Sequence, residues 1–234
     1  MFTFDTKVSY SRVDKRGQVP FYEIMNYFQD CTNFQSEALG VGIEHMDSVG
    51  KAWIIVAYKI RINKPIMLGQ DIRVGTAPTK FGAGFASRKF FIQDDQGEYL
   101  VQADSMWILI DRNNRKPVHI TKEDCTMYDL ESEFEGLKAT RKLTLSEEKS
   151  KLDTFKVMKT YIDNNGHMNN ADYLRVVEEI LPEDSQFQEV DIVYNKEALE
   201  GENIIPYLHK GVDGTAISFE SQEGEVLTKI KFRK

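Results

Sequence analysis

Asp163-Asn164-Asn165-Gly166-His167-Met168 can be laid over Asp14-Lys15-Arg16-Gly17-Gln18-Val19, a separation of 163 − 14 = 149 residues, and this overlay decides the fold. Asp and Gly coincide, Gln18 stands under His167, and Val19 stands under Met168. Similarity within one chain is the mark of a repeated structural unit, and two further pairs of segments extend it. Asn63-Lys64-Pro65-Ile66-Met67-Leu68-Gly69-Gln70-Asp71-Ile72 matches Asn195-Lys196-Glu197-Ala198-Leu199-Glu200-Gly201-Glu202-Asn203-Ile204, at 195 − 63 = 132. Gly97-Glu98-Tyr99-Leu100 matches Gly224-Glu225-Val226-Leu227, at 224 − 97 = 127. The anchors keep the same order, and the shrinking offset means that the second copy has lost loop residues. The chain is a duplication.

Each copy reads as a turn, a helix and a run of strands. Phe21, Ile24, Met25 and Phe28 fall on one helical face, and the spacing predicts a helix over 20–39 that stops at Gly40. Tyr173, Leu174 and Val177 repeat that stripe in a helix over 170–180, closed by Pro182. Strands are expected over 52–62, 71–76, 85–93 and 99–111 in the first copy, and over 189–195, 203–211, 215–222 and 226–233 in the second. The expected organisation is a first unit over 1–120, a charged linker over 121–150 that could hold a short helix, and a second unit over 151–234. One helix followed by an antiparallel sheet, made twice, is an α+β architecture in which each sheet wraps its helix.

A net charge of −7 argues against nucleic acid as a partner, because phosphate binding is driven by clustered cations. No run approaches the roughly 18 apolar residues of a membrane span, and the stretch Met1 to Tyr10 has no basic-then-apolar leader. Cys31 and Cys125 make no disulfide framework and no metal-ligand set, so the reading is a cytoplasmic protein without metal or cofactor. Both cysteines read as buried apolar residues, and Trp53 and Trp107, within strands, as core.

Parts of the opening motif have an ordinary structural reading. Asn-Gly is a turn dipeptide, and Asn169 or Asn170 is a natural N-cap for the second helix. Asn165 and His167 are different, because the first copy is an internal control. It needed the same turn and supplies Arg16 and Gln18 there. A glutamate at a strand end is usually a solvated charge, yet the counterpart of Glu197 is Pro65, which cannot move a proton. His, Asn and Glu therefore accumulate in one copy only. A serine-nucleophile elbow, G-x-S-x-G, is absent from the sequence.

With those residues in place, the sequence resembles the acyl-ACP thioesterase family. Asp163, Asn165, His167, Asn169 and Asn170 match its D-x-N-x-H-x-N-N segment before a helix, Tyr173 stands at a family tyrosine, and Tyr194 with Glu197 matches its Tyr-x-x-Glu segment. Plant members commonly carry Cys after that glutamate, where this chain has Ala198, a departure that speaks against a cysteine nucleophile. The resemblance implies two tandem hotdog units, a double hotdog, and hydrolysis of the thioester that joins a fatty acyl chain to acyl carrier protein (ACP). It implies as well that the first copy supplies much of the acyl-chain tunnel.

The expected site is Asp163, Asn165, His167 and Glu197. Glu197 is expected to act as general base, strengthened by burial, with Asp163 orienting His167; whether Glu197 or His167 takes the proton stays open. Asn169, Asn170 and Tyr173 are expected on the substrate, and Arg112, Arg115 and Lys116 form the basic patch for acidic ACP. Acyl-CoA hydrolysis, a hotdog dehydratase acting on 3-hydroxyacyl thioesters, and a non-enzymatic acyl-thioester-binding regulator are the competing readings. Monomer and homodimer are both compatible with two units in one chain.

Overall fold

A computed structural model describes residues 1–182, 187–211 and 214–234. The first half runs β1 (Phe2–Lys7), α1 (Phe21–Ala38), α2 (Ile43–Ser48), β2 (Lys51–Ile62), β3 (Asp71–Phe81), β4 (Ala86–Asp94) and β5 (Tyr99–Asp111). The second half runs β6 (Lys149–Lys151), β7 (Phe155–Lys156), α3 (Asn170–Ile180), β8 (Glu189–Tyr194), β9 (Asn203–Gly211), β10 (Gly214–Ser221) and β11 (Val226–Arg233). All strands join one antiparallel sheet in the order β1-β3-β4-β5-β2-β8-β11-β10-β9-β6, with β7 also on β9. Read outward from the β2–β8 seam, the two half-orders are the same. At that seam Ala57 faces Val193 and Ile60 faces Val190, and Lys59 pairs with Glu189 at 2.7 Å.

The helices form where the periodicity places them, because their apolar stripes need cover. On α1 the stripe Ile24, Met25, Phe28 and Cys31 is buried, with Phe28 stacked on Phe90 at 4.8 Å. On α3 it is Ala171, Tyr173, Leu174 and Val177. The two helices pack against each other inside the curve of the sheet, so the arrangement is a double hotdog.

Hydrogen bonds obey the sequence offsets. Val8 N–H donates to Gln70 O at 2.9 Å, and Val157 N–H donates to Glu202 O at 2.8 Å. Asn63 N–H donates to Leu100 O at 2.9 Å, and Asn195 N–H to Leu227 O at 2.8 Å. The duplication is therefore one of geometry as well as of letters.

The sequence reading overlooked β1 and α2. α2 is six residues long, too short to show a helical period by itself; β1, also six, does alternate Phe2 and Phe4 with polar residues, and its pairing with β3 makes that pattern a strand. The linker expected over 121–150 contains no helix, and its last two residues already belong to β6. It is packed rather than free. Leu137, Ala139 and Leu143 are buried, and the latter two cover Ala57 and Val193 on the outer face of the seam. No helix among the described residues is long and apolar enough to cross a membrane.

Candidate active site

Asp163 begins a turn that positions the motif. Its Oδ1 accepts the N–H of Asn165 at 2.8 Å and of His167 at 3.3 Å, and its own N–H donates to His167 O at 2.9 Å. Gly166, at φ 83°, supplies the left-handed step that the turn requires. The first copy makes the same turn: Asp14 Oδ1 accepts from Arg16 at 2.9 Å and Gln18 at 3.0 Å, with Gly17 at φ 74°. The Asp163 carboxylate thus aims His167 through the backbone, and its side-chain partner is the Asn165 amide at 3.4 Å.

A second repeated bond brings the glutamate in. Met168 N–H donates to Ala198 O at 2.8 Å, as Val19 N–H donates to Ile66 O at 2.8 Å in the first copy. In one half this bond sets Gln18 beside Pro65; in the other it sets His167 beside Glu197. His167 Nε2 lies 3.2 Å from Glu197 Oε2.

The burial expected of Glu197 is not found. Its side chain is 36% exposed, against 14% for His167, because the strand-end loop that carries it opens to the mouth of the cleft. Arg115 donates to the same Oε2, while Oε1 has no partner among the described residues.

Asn169 is the N-cap of α3, its Oδ1 accepting Ala171 N–H at 2.9 Å and Gln29 Nε2–H from α1 at 3.0 Å. Tyr194 is anchored through its hydroxyl on Asn170 O at 3.1 Å. Tyr173 is buried, with its ring edge-on to Phe219 at 5.2 Å, and forms part of the cleft floor. Arg112 is held by Asp47 at 2.7 Å at the mouth, Arg115 reaches inward to Glu197, and Lys116 is exposed and stays outside the lining.

These residues open on a cavity of about 880 Å³, at the upper end of the usual 300–1,000 Å³ for small-molecule pockets. One end holds Asn165, His167, Asn170 and Glu197, and the remainder is walled by the first half. Trp53 and Trp107, expected as core, are half-buried and face this cavity. Tryptophan suits such a wall, because the ring offers apolar area while its N–H finds a partner; Trp107 Nε1 donates to Ser105 Oγ at 2.8 Å.

The sequence reading also passed over Arg88, buried in the wall and bonded to Gln35 and Thr76. Burial lowers its pKa. An arginine inside a strand read only as a strand gave no signal of this. Cys31 is buried beneath the wall and burial pushes its thiol up to about 12; Cys125 is half-buried in the connecting segment, so the expectation of a buried residue holds for Cys31 alone. No cysteine lines the cavity among the described residues, and no cluster of His, Cys, Asp or Glu there is placed to hold a metal ion.

The paired half-sheets and the helices they wrap place the chain among double hotdog proteins, and sequence comparison narrows the class. Residues 1–128 match the model of the acyl-ACP thioesterase N-terminal domain, and residues 144–233 match that of the C-terminal domain. The chain belongs to the acyl-ACP thioesterase family. A chloroplastic acyl-[acyl-carrier-protein] hydrolase of Cuphea viscosissima is 28% identical over 148 residues, which are 59% of this chain and 35% of that relative's length. An acyl-ACP thioesterase structure from Bacteroides thetaiotaomicron superposes with a TM-score of 0.89 at 19% identity, covering 99% of this chain and 96% of that one. The 12:0-ACP thioesterase of Umbellularia californica superposes with a TM-score of 0.82 at 16% identity, covering 99% and 96%.

Proposed function

We propose that this chain hydrolyses fatty acyl-ACP to a free fatty acid and ACP at the cleft between its halves, with Glu197 as general base. The observation that carries the reading is the His167–Glu197 pair, 3.2 Å apart, made by a backbone bond that both halves possess and furnished with proton-moving side chains in only one. Oε1 of Glu197 takes a proton from water as the water oxygen bonds to the thioester carbonyl carbon. The carbon–sulfur bond then breaks, and the departing thiolate receives that proton. His167 and the Asn165 amide hold the water or the carbonyl oxygen as negative charge develops on it.

The wall around Trp53 and Trp107 takes the acyl chain. Acidic ACP docks at the turn carrying Arg112 and Lys116, beside the mouth. A dehydratase would leave the thioester whole, so release of thiol is the deciding signal. Purified protein supplied with acyl-ACP of several chain lengths should release titratable thiol, and Glu197→Gln should lower kcat by about 10²- to 10⁴-fold with its melting transition intact. Full turnover in that variant removes Glu197 from the site; thiol release from acyl-CoA alone replaces ACP as the substrate carrier.

A further inference from the structure

Arg115 is the single non-glycine residue with positive φ, 57°, among the described residues. L side chains enter that region against a steric cost, and backbone outliers of this kind concentrate where function requires them. The turn that imposes the conformation is tightly wired. Asp111 Oδ1 accepts the N–H groups of Asn113 at 2.8 Å and Asn114 at 3.1 Å. Arg115 N–H donates to Asp111 O at 2.9 Å, and Asp111 N–H donates to Lys116 O at 3.0 Å. Asn114 Oδ1 closes the arrangement by accepting Lys116 N–H at 2.8 Å.

The direction that this turn gives the side chain is across the molecule. Arg115 leaves the end of β5 in the first half, and its guanidinium meets Glu197 in the second. It takes Oε2, the oxygen already beside His167 Nε2. A carboxylate has two oxygens and one rotatable plane, so the Arg115 donor on Oε2, with His167 Nε2 3.2 Å from the same oxygen, fixes where Oε1 points. That remaining oxygen is the one without a partner among the described residues. Arg115 keeps 45% of its side chain exposed, yet its guanidinium ends on Glu197, whereas Lys116 stays outside the cavity lining.

We infer that Arg115 is a positioning residue for thioester hydrolysis, the first half's contribution to the site, which holds Glu197 through Oε2 and leaves Oε1 turned to the attacking water. This rests on the reading of Glu197 as the base. It makes the site composite: neither half contains a complete one.

Arg115→Ala and Arg115→Lys, compared with the unaltered chain and Glu197→Gln in the thiol-release assay, separate the possibilities. Loss of the guanidinium should reduce kcat by about 10²-fold, the scale set by an ångström of misplacement, with KM little changed. Lys keeps the charge but not the planar fork, so it should recover part of the loss, and sub-denaturing guanidinium ion should restore activity to Arg115→Ala. Unchanged melting of both variants shows that the turn itself survives. A loss confined to KM and reproduced by added salt would make Arg115 a docking residue and overturn the inference. So would full turnover in Arg115→Ala while Glu197→Gln is inactive, an outcome that leaves the proposed activity standing. Full turnover in Glu197→Gln would overturn both.

Discussion

Glu178 ties the two halves together and should make stability depend on pH. It lies on α3, half-buried, and its Oε1 accepts the N–H of Phe21, the first residue of α1, at 2.5 Å. Burial pushes its carboxyl up from 4.5 to about 7, with Asp14 adding to the rise and the amides of Phe21 and Tyr22 and the Arg175 guanidinium opposing it. A raised pKa means that the folded chain holds the proton more tightly than the unfolded one. The associated stability is therefore fully present below pH 4.5 and is lost as pH rises through about 7. The gap corresponds to roughly 3 kcal/mol, and water reaching a half-buried group lowers that to about 2 kcal/mol. Glu178→Gln removes the titration and keeps an oxygen for Phe21. Urea midpoints between about pH 5 and pH 8 should show the variant gaining on the parent by about 2 kcal/mol as pH rises. Asp104, which burial raises to about 6, is present in both proteins and cancels in the difference. A difference that stays constant across this range refutes the argument.

Asn169→Ala should cost about 1 kcal/mol for the lost N-cap of α3, more if the Gln29 bond between helices contributes, while Asn169→Asp should recover the cap; chemical denaturation measures both. Gly166→Ala and Gly17→Ala place a side chain at φ 83° and φ 74° and should each cost about 1–2 kcal/mol. Only Gly166→Ala should also slow thiol release, since only that turn aims a histidine; equal losses of activity from both would contradict the division of labour between the halves.

Much of this was readable in the letters because the chain carries its own comparison. The turn at Asp14 and Asp163 needs Asp and Gly in fixed places for hydrogen-bonding and conformational reasons, so it survived in both copies. What differed at Gln18 and His167, and at Pro65 and Glu197, then pointed to chemistry, and these two substitutions are neighbours in space. The periodicity of Ile24, Met25 and Phe28 placed α1 to within a residue or so, as burial of a stripe requires. The rest depends on contacts distant in sequence. Nothing near Arg115 announces a partner 82 positions away. Leu137, Ala139 and Leu143 are too irregularly spaced to show that the connecting segment is packed against the seam. Trp53 and Trp107 read as core because a cavity wall and a core ask for the same kind of side chain.

The β2–β8 seam joins parts of one polypeptide, and that bears on how the composite cleft responds to concentration. If the halves were separate chains, thinning the solution would drive them apart and take the His167–Glu197 pair away from its wall. A covalent tether instead presents each half to the other at a local concentration on the order of millimolar. The connecting segment, clasped over Ala57 and Val193, restricts the excursion further. Activity per molecule should accordingly persist at dilutions where a two-chain version would have lost it.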